Sequence, residues 1–376
     1  MALLSIAAID VYRFDIPFIR PIRVGSEVLH SREGFIVALT DEEGHTGFGE
    51  VAPLPGLDQT PLTRCRDDLA SVKNMLDKLA LQTDRLNLTA PWLGMAFLPG
   101  FFAPHTLFGL ESALLSLYLQ RKLAEGSIDS LYLPDPLKVP VSGLFIPDSS
   151  DKETAAQISA LKSSGVKTVK VKIGRLPADD EIRQILSLAE RIGGNLVFRL
   201  DGNKALSARI YARYISALGH LSVEYAEEPL CDGETLSCAD VPWPQALDES
   251  LPLYLDSGNP DLSKIPAYVR TIILKPGLLS GLHGIARCIA DARMTGIKIV
   301  LSSAFNTGIT LATLGVFSLL AGLPPNTAHG FDTLRYLEAD ILTDSPLIRE
   351  GFLTLSRRLL SEGMHLNPNV LTKEAL

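Results

Sequence analysis

Hydrophobic and polar positions divide the chain into two regimes. Over residues 1 to about 60 they alternate with a period of two between turn residues, the pattern of half-buried strands. MALLSIAAID reads as a first strand, because it lacks a basic flank and meets Asp10 too early for a signal peptide. FIVALTDEEGHTGFGEV reads as two strands joined by a turn at Asp41–Gly44. The period becomes helical over Leu62–Leu81 and again over Thr106–Leu123. From Val139 short β-branched runs recur: VPVSGLF, TVKVKIG, LVFRLDGN, VEYAEEP, QALDES, TIILKPG, KIVLSSA and NTAHGF. They start about 22 to 29 residues apart, and most intervals hold an amphipathic stretch such as EIRQILSLAERI. Strand-then-helix at that interval predicts βα units around a parallel sheet, and eight strands is the number that closes a barrel. An open doubly wound sheet is the competing arrangement.

Two segments invite a wrong reading. Ile309–Leu323 is apolar but shorter than a bilayer requires, contains two threonines and a serine, and runs into Pro324-Pro325. It is expected as a buried helix, so no membrane partner is expected. Gly47-Phe48-Gly49-Glu50-Val51-Ala52 loosely matches a dinucleotide fingerprint, but that motif must open a helix, and Pro53 and Pro55 forbid one.

Composition narrows the class of protein. With 46% hydrophobic and 21% charged residues in 376, the chain can bury a large core and is not disordered. The net charge of −8, with no Lys/Arg cluster, argues against nucleic acid as a partner. Cys65, Cys231, Cys238 and Cys288 are too sparse for a disulfide framework and show no paired CxxC zinc spacing. A reduced, cytoplasmic enzyme is expected. The histidines are scattered without ligand spacing, and His329 near the eighth strand reads as structural.

The chemistry is carried by charges at strand ends, where barrel active sites lie. The second strand ends in Lys170-Val171-Lys172, the third in Asp201, the fourth in Glu227-Glu228, the fifth in Asp248-Glu249 and the sixth in Lys275. Period-two alternation points Lys170 and Lys172 the same way, and likewise Arg199 and Asp201. If Asp201 faces the axis, Arg199 lies beneath it and needs an anionic partner, from protein or substrate. Strands three, four and five are neighbours, so Asp201, Glu227 and Asp248 can converge. Carboxylates that close repel unless a cation sits among them, and all-oxygen ligands favour Mg²⁺, with Mn²⁺ as a possible substitute. Strands two and six are opposed on a ring of eight, placing Lys172 and Lys275 on opposite faces of that cation. Such a site suits removal of a proton beside a carboxylate, with a cation stabilising the enediolate and a lysine taking the proton.

Lys170-x-Lys172, Asp201-x-Asn203, Glu227-Glu228-Pro229, Asp248-Glu249-Ser250 and Lys275-Pro276 together resemble, in order and over nearly the whole chain, the muconate-lactonizing subgroup of the enolase superfamily. The resemblance implies an enolase-like (β/α)7β modified TIM barrel with an α+β capping domain. Residues 1–130 would form the cap, 131–335 the barrel, and 336–376 a segment returning to the cap. It implies Asp201, Glu227 and Asp248 as metal ligands, Lys172 as the base, Lys170 as its electrostatic neighbour and Lys275 as the cation opposite. Gly47–Gly56 and His329-Gly330-Phe331-Asp332-Thr333 further resemble members that dehydrate 2-succinyl-6-hydroxy-2,4-cyclohexadiene-1-carboxylate to 2-succinylbenzoate, on the way to menaquinone or phylloquinone. That substrate is a small dianion and needs a second anion site. Arg199, Asn203, and Ser302, Ser303, Asn306 and Thr307 at a helix start are the candidates. Pro17–Arg32 and Leu54–Leu57 are expected as loops closing over it. Lys204 departs from the expected arginine or aromatic. Racemisation or epimerisation of an N-acylated amino acid or dipeptide shares the chemistry, although Asp332 lacks the acidic neighbour expected for gripping an amino terminus. Muconate cycloisomerisation has less support. Oligomeric state is not legible.

Overall fold

The computed structural model describes residues 3–73, 80–82, 102–126, 133–236, 241–256, 259–279, 281–361 and 363–376. The predicted boundary between residues 130 and 131 lies outside them.

The N-terminal part is built from β1 (Leu3–Val24), β2 (Glu27–Asp41), β3 (Thr46–Val51), α1 (Leu62–Lys73), β4 (Ala80–Gln82) and α2 (Pro104–Ala124). The strands pair antiparallel, with Ile36 opposite Tyr12 on one side and Glu50 on the other. The two glycines of the rejected fingerprint have a packing reason. A Cβ on Gly49 would fall 1.8 Å from the carbonyl oxygen of Gly109 on α2, and one on Gly47 would fall 2.1 Å from that of Ala113. Their absence lets β3 lie directly on the helix.

The chain continues through β5 (Leu137–Pro140) into a parallel sheet. Its elements are β6 (Ser142–Phe145), α3 (Asp151–Ser164), β7 (Thr168–Lys172), α4 (Ala178–Ile192), β8 (Val197–Asp201), α5 (Ala208–Leu218), β9 (Val223–Glu227) and β10 (Gln245–Leu247). A short hairpin of β11 (Leu255–Asp256) and β12 (Asn259–Pro260) precedes β13 (Val269–Leu274), α6 (Gly281–Thr295), β14 (Lys298–Leu301) and α7 (Gly308–Leu320). The seven parallel strands pair in the order β14-β13-β10-β9-β8-β7-β6. Two single bridges join the ends of that sheet, His329 to Val141 and Gly330 to Ser302, so the eighth strand amounts to two residues. Inside the ring, Tyr225, Ala246, Ile273 and Val300 form a small apolar layer, separate from the main core that spreads between the strands, the outer helices and the N-terminal sheet.

Local signals set the helix limits. Ser150 and Ser207 accept from Glu153 and Ile210 backbone N–H groups at the starts of α3 and α5, and Gly165 ends α3 in the left-handed region. The apolar Gly308–Leu320 helix is buried, and no described helix is long and apolar enough to cross a membrane. β15 (Leu347–Arg349) pairs with β16 (Phe352–Leu355), which in turn pairs with β5. After α8 (Arg357–Ser361), β17 (Leu371–Lys373) joins the free edge of β1.

Two expectations are corrected. Helical periodicity suggests Leu62–Leu81; α1 is described over Leu62–Lys73, residues 74–79 are outside the described set, and Ala80–Gln82 is a strand paired with Leu3–Ser5. Sheet pairing overrides local propensity there. Pro17–Arg32 is a hairpin rather than a loop, paired to Val24↔Glu27 at its tip. Among the described residues, the connections after the fourth and fifth barrel strands carry no α-helix. Pro229, Pro242, Pro244, Pro252, Pro260 and Pro266 interrupt these segments.

Candidate active site

In β7, Val169 and Val171 are fully buried on the outer face, which sends Lys170 and Lys172 to the inside. The parallel register sets Lys170 beside Arg199, Lys172 beside Asp201, and Asp201 beside Glu227. Asp201 and Glu227 are completely buried, and Asp248 nearly so. Lys170 Nζ lies 2.6 Å from both Asp201 Oδ2 and Glu227 Oε1. Lys172 Nζ donates to Asp201 Oδ2 at 2.6 Å and to Asn203 Oδ1 at 2.7 Å. Lys275 pairs with Asp248 from the other side. Three carboxylates and three ammonium groups thus meet at the mouth of the barrel.

Burial opposes every charge in this cluster, so partners decide each protonation state. For Lys170 burial is outweighed by Asp201, Glu227 and Asp248, and its pKa is raised well above the ordinary lysine value. Burial also works against Lys275, but Asp248 lifts it. Asp201 is lowered despite burial by Lys170 and Lys172. Glu227 is raised, first by burial and then by Asp201.

The neighbours hold the cluster in place. Glu228 accepts from the backbone N–H groups of Asp248 and Ser250 and from the Ser250 hydroxyl, at 3.0, 2.8 and 2.9 Å, fixing the end of the fifth strand. Asn203 bridges Lys172 to Glu249. Among the described non-glycine residues, Asn203, Lys204, Glu228 and Phe305 at the mouth have positive φ; Glu350 is the other such residue. Backbone strain is thus concentrated at the strand ends that carry the charges.

The donor set suits a hard divalent cation. Glu227 Oε2 is buried and has no hydrogen-bond partner, an orphaned carboxyl oxygen beside two further carboxylates. Lysines lie between these carboxylates. Among the described residues, the group whose ligand atoms all fall within 4.8 Å of one another is instead Asp41, Glu43 and His45, at the β2–β3 turn. There Arg121 lies 3.6 Å from Asp41 and 3.2 Å from Glu43 and supplies positive charge.

The expected anion sites look different once their partners are seen. Arg199 does not reach the mouth: it donates to Glu224 Oε2 and the Ala328 carbonyl, at 2.8 and 2.7 Å, and lies over the Tyr225 ring. The pairing shifts by one residue between Phe198 and Arg199, leaving Glu224 unpaired as a bulge, which is how it turns to Arg199. The start of α7 is filled by Glu50 of β3. Glu50 accepts from Asn306 Nδ2, from the Thr307 N–H and hydroxyl, and from the Thr310 hydroxyl, all at 2.7–3.0 Å. Ser303 is engaged by the Gly330 carbonyl and Thr333. Asn306, Thr307 and Ser303 therefore serve the protein's own architecture; Ser302, with Lys275, Asn306 and Glu50, lines a narrow cavity of about 20 Å³ between the barrel and the N-terminal sheet. Sequence alternation carries no signal for Glu50, whose partners are more than 250 residues away.

Two further residues tie the layers together. Glu111 of α2 accepts from the His283 N–H at the start of α6, and a Cβ on Gly281 would fall 2.3 Å from its carboxylate. Burial pushes Glu111 up to about 8. Arg32 donates to the Ala52 and Pro53 carbonyls and, across to the barrel, to Phe305.

His329 is structural. Its Nδ1 accepts from the Leu301 N–H, and its ring stacks on Phe331. Burial, followed by Arg199, lowers its pKa to about 3 from 6.5. Below pH 6.5 the unfolded chain binds a proton that the folded one refuses, so acidification favours unfolding until about pH 3. Unfolding measured across that window should show His329 adding a slope of up to about 1.4 kcal/mol per pH unit. The slope should flatten in His329→Gln; an unchanged slope would remove this histidine as the cause.

A closed parallel barrel under an antiparallel cap sheet, with charges at successive strand ends, defines a class. Residues 153–359 match the family described as Enolase C-terminal domain-like, more than half of the chain, and the protein belongs to the enolase superfamily. Residues 6–97 match the family described as MenC, N-terminal domain. The o-succinylbenzoate synthase of Aliivibrio salmonicida is 26% identical over 348 residues, covering 89% of this chain and 93% of that protein. Protein PHYLLO, chloroplastic, of Arabidopsis thaliana is 25% identical over 385 residues; the match covers 91% of this chain but 22% of PHYLLO's length. Among solved structures, the muconate lactonizing enzyme of Pseudomonas fluorescens, complexed with muconolactone, shares a TM-score of 0.70 at 20% identity, covering 97% of this chain and 98% of that one. The dipeptide epimerase of Enterococcus faecalis V583, complexed with Mg and a dipeptide, has a TM-score of 0.73 at 19% identity, covering 98% and 100%. These two structures show the shared fold.

Proposed function

We propose that the chain catalyses the o-succinylbenzoate synthase reaction, a carbon–oxygen lyase step that removes water from 2-succinyl-6-hydroxy-2,4-cyclohexadiene-1-carboxylate in menaquinone or phylloquinone synthesis. The observation that carries this reading is the placement of Asp201, Glu227 and Asp248 at the ends of three adjacent strands, with Lys172 and Lys275 reaching them from separate sides. The relatives supply the substrate. Residues 1–130 and 336–376 act as the cap and 131–335 as the barrel, in the cytoplasm.

Asp201, Glu227 and Asp248 would hold Mg²⁺. When bound, the cation supplies positive charge to the substrate carboxylate, making the neighbouring C–H more acidic. Lys172 takes that proton, with Lys170, held as an ammonium by its carboxylates, as its electrostatic neighbour. Lys275 stabilises the developing enediolate from the opposite face without transferring a proton. Lys172 then returns its proton to the departing hydroxyl on the same side, so the products are the aromatic ring and water.

The two opposed lysines also fit a second reading, proton exchange at the α-carbon of an N-succinylamino acid or a dipeptide. The deciding assay follows loss of the cyclohexadiene by ultraviolet absorbance, with Mg²⁺ and with chelator. Rapid turnover that chelation stops and Mg²⁺ restores is expected. No turnover by Mg²⁺-loaded protein, with deuterium exchanged into N-succinylamino acids, would transfer the assignment to the racemase reading.

A further inference from the structure

The proposed base has two partners. Lys172 Nζ donates to Asp201 Oδ2 at 2.6 Å and to Asn203 Oδ1 at 2.7 Å. Asp201 is among the carboxylates that would hold the cation, so the contact that serves Lys172 alone is the one with Asn203. To take a proton, Lys172 must be a neutral amine, with two N–H donors and one lone pair. Directing one N–H to a fixed acceptor limits rotation of the amine and leaves the lone pair for the substrate.

An amide supplies that acceptor in one orientation only. Its oxygen accepts, whereas its nitrogen carries two donors. Turned over, Asn203 would point N–H groups at Lys172, opposing an ammonium and tying up the lone pair of an amine. Rotation about the last side-chain bond exchanges the two ends, so Asn203 needs a neighbour that tells them apart. Glu249 is that neighbour. Asn203 Nδ2 donates to Glu249 Oε1 at 2.7 Å, and a carboxylate accepts without donating.

Both residues are themselves held. Glu249 stands between Asp248 and Ser250, whose N–H groups donate to Glu228 Oε1 at 3.0 and 2.8 Å. The Asn203 N–H donates to Asp201 Oδ1 at 3.1 Å, and its φ of 42° lies in the left-handed region that asparagine tolerates better than most residues. The end of the fifth strand thus orients an amide that follows the third.

We propose that Glu249 is a positioning residue: through the Asn203 amide it fixes the direction from which Lys172 takes its proton. This inference rests on the reading of Lys172 as the base.

A double-mutant cycle on Glu249 and Asn203 tests it, with glycine at 203 because the backbone there has positive φ. At saturating Mg²⁺, Glu249→Ala should lower kcat for dehydration by about 10-fold and Asn203→Gly by about 10- to 100-fold, with KM within about twofold of wild type. The double variant should be no slower than Asn203→Gly alone, since Glu249 then has nothing to orient. Glu249→Gln, which keeps an acceptor, should recover most of the loss. Glu249→Met, of similar length without an acceptor, replaces the alanine variant if that fails to fold. Calorimetric titration of the same proteins with Mg²⁺ should show unchanged affinity. An unchanged kcat in Glu249→Ala, losses that multiply in the double variant, or a change in KM instead of kcat overturns the inference. Weakened Mg²⁺ binding by Glu249→Ala also overturns it, making Glu249 a cation ligand. If the wild type leaves the cyclohexadiene intact, the lyase reading falls, and the same cycle is read on deuterium exchange into N-succinylamino acids, with the same outcomes deciding. A wild type inactive in both assays removes the base and the inference together.

Discussion

Replacing Lys172 with alanine should lower dehydration by about 10²- to 10⁴-fold, the range that a positioned general base contributes. The fold should survive, because Lys172 sits at the mouth with a side chain 22% exposed. Asp201 retains Lys170 at 2.6 Å and the Asn203 N–H at 3.1 Å. Cation affinity should change little in direction or size compared with the loss in rate. Rapid-mixing kinetics at saturating Mg²⁺ and substrate would separate the two. A loss smaller than about tenfold would mean that another group removes the proton.

The largest effect on stability is expected at Glu50, a residue remote from the reacting atoms. Glu50→Ala strands two backbone or side-chain donors of Thr307, together with those of Asn306 and Thr310, in a buried setting at the start of α7. Leaving buried donors unpaired costs about 1–3 kcal/mol each, and breaking a buried charge-assisted network costs about 3–5 kcal/mol. Destabilisation by about 3–5 kcal/mol in urea unfolding is the expected result. Glu50→Gln, which keeps the shape and an acceptor, should recover part of it. A change below about 1 kcal/mol for the alanine variant would show that water replaces the carboxylate and that this joint is not load-sharing.

Much of this arrangement was legible because two periodicities coincide at the barrel. Alternation along β7 and β8 puts Lys172 and Asp201 on the inner face, and the regular recurrence of strands makes the third, fourth and fifth neighbours. What could not be read follows from contacts between distant segments. The Arg199–Glu224 pair depends on a one-residue bulge in β9, which shifts the register without leaving a mark in composition. The Glu50 joint connects a cap strand to a helix 256 to 260 residues later. Asn306 and Thr307 resemble an anion site because they are one, and its anion is internal, whereas Ser303 is taken up by the Gly330 carbonyl and Thr333. The eighth strand is reduced to His329 and Gly330, too short to show a period. The helical pattern running to Leu81 gives way because the free edge of β1 offers Ala80–Gln82 a strand partner.

The Glu50 joint also bears on which metabolites the pocket can admit. In barrels of this shape, the loops after the last two strands and a nearby helix start often cradle a phosphate. Here that position faces a carboxylate supplied by the cap, and its N–H and hydroxyl donors are already spent. A phosphoryl group brought to the same spot would meet like charge and find no free donors. The cap therefore does more than cover the barrel: its own carboxylate occupies the helix start, and the donors there are not open to a ligand's anion.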